Sequence, residues 1–394
     1  MNKPIVRVLL YSHDSQGLGH VRRNLAIAHH IAQDLPRRLG CEVSGLLVSG
    51  LQPGNMFPLP PGFDWVTIPG ITKRGREYEP RSLGGSTKNL IHLRSNLLKS
   101  TLLSFEPHLV IIDRHILGVW KELLEPLESV RAAYPQTQVV LGLRDVLDSP
   151  EIAAGEWARL GHEEELGAII DHVWVYGDPA VHDPAATGEI PPWLADRASY
   201  TGFLAHGRRL ADHDMELAPQ PFILTTAGGG SDGFHLLRAA VQLEVPADHV
   251  HIVVTGPQAS TKQFNELREI ATPNTQLHHS WPGLSTQIQR ASAVISMGGY
   301  NTSCEILASN TPALIVPREY PRLEQLIRAQ SFNNVGAVDY LRLDQCQPTV
   351  LSTWVADAVH RTVDRSHIKR DGLTTAAKFA AKCVEYNIAE GAVP

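Results

Sequence analysis

One pattern recurs along this chain and restricts its fold more than any other: an apolar run of strand length, a glycine-bearing turn, then a segment with helical periodicity. It opens the sequence as "PIVRVLLYS", "SHDSQGLGH" and "HVRRNLAIAHHIAQDL", whose apolar residues recur at helical spacing. The alternation continues through the strand-like runs "CEVSGLLVSG", "DWVTIPG", "PHLVIID", "QVVLGLRD" and "HVWVYGD", with helical stretches among them. It thins into a polar, proline-punctuated stretch at about 205–220, then restarts as "FILTTAGGGSDGFHLLRAAVQL". Strands alternating with helices imply a parallel sheet covered on both faces. We therefore expect an α/β chain of two Rossmann-like, doubly wound parallel-sheet domains, residues 1–205 and 221–394, joined by a linker at 206–220. The last helix is placed to pack back on the N-terminal domain. The carboxyl ends of both sheets then face one cleft, where ligands of open parallel sheets bind.

The length agrees, since 394 residues exceed what one ordinary core holds. No apolar run is long enough for a membrane span. A net charge of −6 argues against a nucleic-acid binder, but it hides a segregation: residues 1–100, 101–220 and 221–394 carry +7, −12 and −1. A basic opening part suits an anionic partner or a solvated face. Lys73, Arg74, Arg76 and Arg81 form a basic loop that leaves an anionic acceptor or a peripheral membrane contact open, with Glu77 and Glu79 weakening the case. Four scattered cysteines without a CxxC pair, and a first strand with no signal peptide before it, lead us to expect a cytoplasmic protein.

Three turns join a strand to a helix through glycine: "SHDSQGLGH", "AGGGSDG" and "MGGYNT". Glycine lets the backbone approach a ligand, and a helix start offers unpaired N–H groups and a positive dipole end, so each is an anion site in principle. The first turn is not a dinucleotide fingerprint: Gly17 and Gly19 are spaced correctly, but Arg22 holds the third glycine position and Ser49 and Gly50 end the next strand without a carboxylate. His20 follows the turn, where the helix dipole favours a neutral ring suited to general-base work; a packing or capping role is the plain alternative. Gly229, Ser231 and Gly233 match the GxSxG elbow of serine hydrolases. A hydrolase would need an acid and then a histidine downstream, whereas His278 and His279 precede any convincing acid. In the third turn, Gly298 and Gly299 end a strand, Asn301 and Thr302 open a helix, and Glu305 lies one turn in. That arrangement suits a nucleoside diphosphate with its ribose diol.

Together these residues resemble the GT-B fold glycosyltransferases, and among them the MurG group of glycosyltransferase family 28. The carriers are Gly19-His20, the "GGSxG" turn at Gly229, Gly230, Ser231 and Gly233, the "GxxTxxE" helix start at Gly299, Thr302 and Glu305, and Gln325. The chain departs from the family at Glu324, which precedes Gln325, and at Arg328, which stands where an asparagine is usual. The resemblance implies an inverting, metal-independent transfer from a nucleotide diphosphate sugar, UDP-linked by expectation, to a hydroxyl acceptor, with no cofactor. His20 would be the base, with Asp113 at the end of "LVIID" as rival base or as the group orienting His20. Donor contacts would come from Gly229, Gly230, Ser231, Trp281, Gly298, Gly299, Tyr300, Asn301, Thr302, Glu305, Glu324 and Gln325, and acceptor contacts from His13, Asp14, Gly17, Gly19 and Arg22. The acceptor class stays open among small molecules, natural products and lipid-linked substrates. Asp212 and Asp214, the one DxD, fall in the linker and read as surface rather than a metal site. A sugar-nucleotide 2-epimerase or hydrolase, a serine hydrolase at Ser231 and a non-catalytic sugar-nucleotide binder are the alternatives.

Overall fold

The computed structural model describes residues 3–12, 19–51, 57–74, 77–208, 218, 221–230, 232–281 and 283–389. Elements of the N-terminal half are β1 (Ile5–Ser12), α1 (Gly19–Leu39), β2 (Glu42–Ser49), β3 (Phe63–Thr67), β4 (Ile71–Arg74), β5 (Glu77–Pro80), α2 (Thr87–Phe105), β6 (Leu109–Asp113), α3 (Leu124–Ala133), β7 (Gln138–Arg144), α4 (Pro150–Leu160), α5 (Glu163–Ile169), β8 (His172–Tyr176), α6 (Pro192–Ala195) and β9 (Ala198–Tyr200). Those of the C-terminal half are β10 (Phe222–Thr226), α7 (Phe234–Ala240), β11 (Val250–Val254), α8 (Thr261–Ile270), β12 (Thr275–His278), α9 (Leu284–Arg290), β13 (Ala293–Ser296), α10 (Tyr300–Leu307), β14 (Ala313–Ile315), α11 (Glu324–Asn334), β15 (Asp339–Tyr340), α12 (Pro348–Ala358) and α13 (Gly372–Ala389).

The first half builds a seven-stranded sheet in the order β3-β2-β1-β6-β7-β8-β9, and the second a six-stranded sheet in the order β12-β11-β10-β13-β14-β15. Every strand pair in both is parallel. Period-2 alternation divides each strand between two faces. In β1, Val6, Val8 and Leu10 pack with Ile27 and Ile31 of α1, whereas Leu9 and Tyr11 pack with Leu98 and Leu102 of α2. Each sheet reverses its strand order beside its first strand, between β1 and β6 and between β10 and β13. All three glycine turns leave β1, β10 or β13 at those reversals, where an open parallel sheet makes a crevice.

Three details bear on the sequence reading. The basic loop is an antiparallel hairpin of β4 and β5, and Arg81 is spent on its own fold, donating to Gly50 O and Ile71 O. The last helix, expected to pack back on the N-terminal domain, is α13, which packs on α1 and β6, with Phe379 against Trp174 at 5.9 Å between ring centroids. Most of the linker, including Asp212 and Asp214, lies outside the described residues, but its beginning is fixed in place. His206 N donates to Arg370 O, and Arg208 donates to Leu204 O and Asn301 Oδ1.

The halves meet through a shared apolar core and buried ion pairs. Phe203 packs on Phe332 at 5.2 Å. Arg328 of α11 is paired with Asp145, just past β7. Arg322, ahead of α11, bonds Asp148 and Glu156 of the N-terminal half.

Candidate active site

His20 is the second residue of α1, and its Nδ1 lies 3.2 Å from Oδ2 of Asp113, the last residue of β6. The same oxygen accepts from Arg23 Nε at 3.0 Å and Nη2 at 2.6 Å. One helical turn separates His20 from Arg23, so α1 delivers both to one carboxylate. Asp113 is fully buried and its Oδ1 has no partner. Burial pushes this carboxyl up, but Arg23 and His20 outweigh burial and hold it at about 2. A permanently ionised carboxylate on Nδ1 favours the tautomer that carries its proton there, leaving Nε2 as the basic nitrogen. Arg23 Nη2 also lies 3.3 Å from Nδ1, yet its shorter contact is with the carboxylate. Asp113 has no surface from which to meet a substrate, so its place is behind His20, as an orienting group. His13, Asp14 and Gly17 lie outside the described residues.

Opposite stands the start of α10. Gly299 is its N-cap in an extended conformation with no side-chain cap, so backbone N–H groups of the first turn remain available to an anion. Gly298 before it has φ +73, and a Cβ there would sit 2.6 Å from Ile315 Cγ2. Gly230 has φ +92, and a Cβ would sit 2.4 Å from Thr255 O; both positions require glycine. Between the two turns lies a cavity of about 150 Å³ lined by Gly228, Gly229, Gly230, Gly299, Thr302, Arg318 and Gln325, among others. Ser231 lies outside the described residues.

A second cavity, between the linker and α9–α10, is lined by Arg208, Ser285, Gln289 and Glu305. Glu305 is 2% exposed; its Oε1 accepts from Arg22 Nη2 at 2.5 Å and its Oε2 is buried without a partner. Thr302 and Glu305, three residues apart on α10, thus line two different cavities, the first bounded by glycine turns suited to phosphates, while Oε2 of Glu305 is itself closed off from solvent. Glu324 is buried and bonded to Arg318 at 2.5 Å. Burial raises its carboxyl, but Arg144, Arg318 and Arg328 pull it below the usual range. Gln325 Oε1 accepts from Arg318 N at 3.2 Å.

Several expected contacts fall elsewhere. Arg22, expected at the acceptor, reaches across to Glu305, because its position on α1 faces α10. Gly19 contributes its carbonyl to Asn301 Nδ2 at 3.0 Å, so Asn301 is occupied in holding the first turn. The Tyr300 side chain is 4% exposed and donates to Tyr176 O at 2.7 Å, with the guanidinium groups of Arg23 and Arg328 at 5.3 and 5.7 Å from its ring centroid; it joins the two halves and does not line the cavity between the glycine turns. Trp281 packs on His278 at 4.4 Å and lines neither cavity. His279 stacks on Phe264 at 4.0 Å. Arg328 is not a reader of sugar hydroxyls, because both ends of its fork are taken by Asp145 and Gly298 O. The sequence reading passed over Arg318 and Arg144. Both follow or end an apolar parallel strand, the position from which a side chain reaches the crevice, and that placement was the available signal.

Residues 224–382 match the glycosyltransferase family 28 C-terminal domain. Over nearly its whole length the chain is similar in structure to CalG4, the calicheamicin glycosyltransferase, at 15% identity, 99% of both chains covered and a TM-score of 0.58. It is similar to MurG of Acinetobacter baumannii at 14% identity, with 97% of this chain and 99% of that one covered and a TM-score of 0.54. The glycosyltransferase SnogD of Streptomyces nogalater is 16% identical over 96% of this chain and 99% of its own, with a TM-score of 0.56. At such identities the likeness is one of fold, and that fold is GT-B. No curated protein sequence matches the chain.

Proposed function

We propose that this GT-B glycosyltransferase, with its family 28 C-terminal domain, moves a sugar from a UDP-sugar to an acceptor hydroxyl by a single inverting displacement. The observation that carries the reading is the His20–Asp113 hydrogen bond, set at the carboxyl end of one sheet and facing the uncapped helix start and glycine turns of the other. The diphosphate lies against the Gly228–Gly230 turn and the first turn of α10, with Arg318 beside it, and the ribose diol meets the Glu305 carboxylate. Gln325 and Glu324 lie toward the sugar. The acceptor hydroxyl loses its proton to His20 Nε2 as its oxygen bonds the anomeric carbon. The bond from that carbon to the diphosphate oxygen breaks, and the leaving group takes the electron pair. Helix N–H groups and Arg318 stabilise the charge that develops on it.

Incubation with UDP-sugars and a panel of hydroxyl acceptors tests this. His20→Ala should lower kcat about 10²- to 10⁴-fold, the usual contribution of a general base, and leave UDP affinity nearly unchanged. Epimerised sugar nucleotide without any transfer product would replace this reading with the 2-epimerase, and unchanged turnover in His20→Ala would remove His20 from the mechanism.

A further inference from the structure

The cleft holds a crowd of arginines, most of which have partners among the described residues. Arg23 is paired with Asp113, Arg328 with Asp145, Arg114 with Glu156, Arg322 with Asp148 and Glu156, and Arg318 with Glu324 and Asp232. Arg144, the last residue of β7, makes no ion pair or hydrogen bond with any described residue, and its Nε is buried with no partner. Its charged neighbours are Glu324 and Arg328 from the C-terminal half and Arg23 and Arg114 from the N-terminal half, so the side chain lies between the two sheets. Glu324, the one carboxylate among these neighbours, bonds Arg318 through Oε1, and its Oε2 is buried without making a hydrogen bond to Arg144. β7 runs beside β6, with Gly142 opposite Asp113, which puts Arg144 two residues beyond the carboxylate that orients His20.

An unpaired guanidinium among other guanidinium groups is costly in an unliganded protein. Burial and the charges of Arg328, Arg23 and Arg114, against the opposing pull of Glu324, bring its pKa down to about 10. Such a group persists where a ligand supplies the missing anion, and a planar fork suits a carboxylate or phosphate.

We propose that Arg144 binds an oxyanion, a carboxylate or phosphate carried by the substrate beside the reacting hydroxyl, so that this enzyme acts on an anionic substrate. The inference rests on the transferase reading above. The anion belongs either to the acceptor or to a uronate donor sugar, since the charged neighbours of Arg144 include Arg23, which shares the Asp113 oxygen with His20, and Glu324.

Inorganic phosphate titrated into the full-length protein saturated with UDP is the direct probe, because UDP fills the diphosphate cavity. Arg144→Gln should weaken phosphate binding about tenfold or more, the loss of a charge-assisted pair, and Arg144→Lys should recover part of it. Without ligand, Arg144→Gln should melt no lower than the wild type, because the guanidinium it removes has no partner; a structural arginine would lower the melting temperature. Comparing methyl glucuronide with methyl glucoside, and UDP-glucuronate with UDP-glucose, assigns the anion to acceptor or donor by which anionic compound outbinds its neutral counterpart in the wild type and loses that advantage in Arg144→Gln. Phosphate affinity unchanged by Arg144→Gln, no phosphate binding by the wild type, no preference for either anionic compound, or a lowered melting temperature would each overturn the proposal. Failure of UDP to bind would instead sink the transferase reading, and the phosphate comparison without UDP would still decide the role of Arg144.

Discussion

Arg328 and Asp145 form a buried fork across the two halves: Nε lies 2.8 and 3.1 Å from the two carboxylate oxygens, and Nη2 lies 2.7 Å from Oδ1. Both residues are at most 2% exposed, so neither charge has water to fall back on. Arg328→Met should therefore cost about 3–5 kcal/mol, the usual result of stranding one buried charge. Arg328→Met with Asp145→Leu should recover most of that loss. Urea unfolding of the single and double variants measures both. A single variant as stable as the wild type would show that the pair does not hold the halves together.

Arg22 to Glu305 is a lighter contact, with the arginine side chain 38% exposed, so solvent screens it and the stability at stake is about 1 kcal/mol or less. Its larger effect should be on nucleotide binding. Arg22 engages Oε1, so Arg22→Ala frees the carboxylate to rotate away from the ribose position. UDP affinity should fall about three- to tenfold, a loss of about 0.7–1.4 kcal/mol, with Arg22→Lys intermediate. Calorimetric titration of UDP into the three proteins checks it, and equal affinities would detach Glu305 from the nucleotide.

The architecture was legible because parallel strands buried on both faces read as continuous apolar runs; "LVIID" and "FILTT" are buried throughout. The glycine turns were legible because closing a strand onto a helix beside a ligand needs a residue without a Cβ. Pairings across the cleft were not. Arg328 and Asp145 are 183 residues apart, and no spacing rule connects them. Arg22 lay on the helix that carries the expected acceptor residues, and only the facing position of α10 turns it toward Glu305. The β4–β5 hairpin escaped notice because its strands are four residues long and rich in charge, which hides the period-2 signal.

Acid sensitivity should come from His251 before it comes from any carboxylate. The ring is fully buried in β11, bonded to Thr225 Oγ1 at 2.8 Å, and burial pushes it down to about 3. An unfolded histidine titrates near 6.5, so between about pH 6.5 and 3 the unfolded chain binds the proton and the folded one does not. The stabilisation is therefore complete above about pH 6.5 and is lost as pH falls to about 3, a loss of about 4 kcal/mol at one residue. Asp113, held at about 2, adds its loss only below about pH 4. His251→Gln should reduce the slope of the stability–pH curve between pH 6.5 and 4 in urea melts, the remaining slope in that window coming in part from His108, which burial pushes down to about 4. A variant with the wild-type slope would place the acid-sensitive group elsewhere.

Asp113→Asn separates orientation from mere presence of His20. The amide keeps the volume of the buried side chain but removes the charge that holds the Nδ1 proton, and it can present an N–H to Nδ1 in place of an oxygen. The ring then carries its proton on Nε2, and the atom that should accept the hydroxyl proton no longer can. Arg23 also loses its counter-ion, which costs stability as well as geometry. The expected outcome is a kcat lowered about 10³- to 10⁴-fold, as when an orienting carboxylate behind a catalytic histidine is replaced, with UDP affinity little changed because the glycine turns and Glu305 are untouched. Thermal melting of the variant reports the structural part separately. A folded Asp113→Asn protein that keeps its turnover would show that His20 needs no carboxylate behind it.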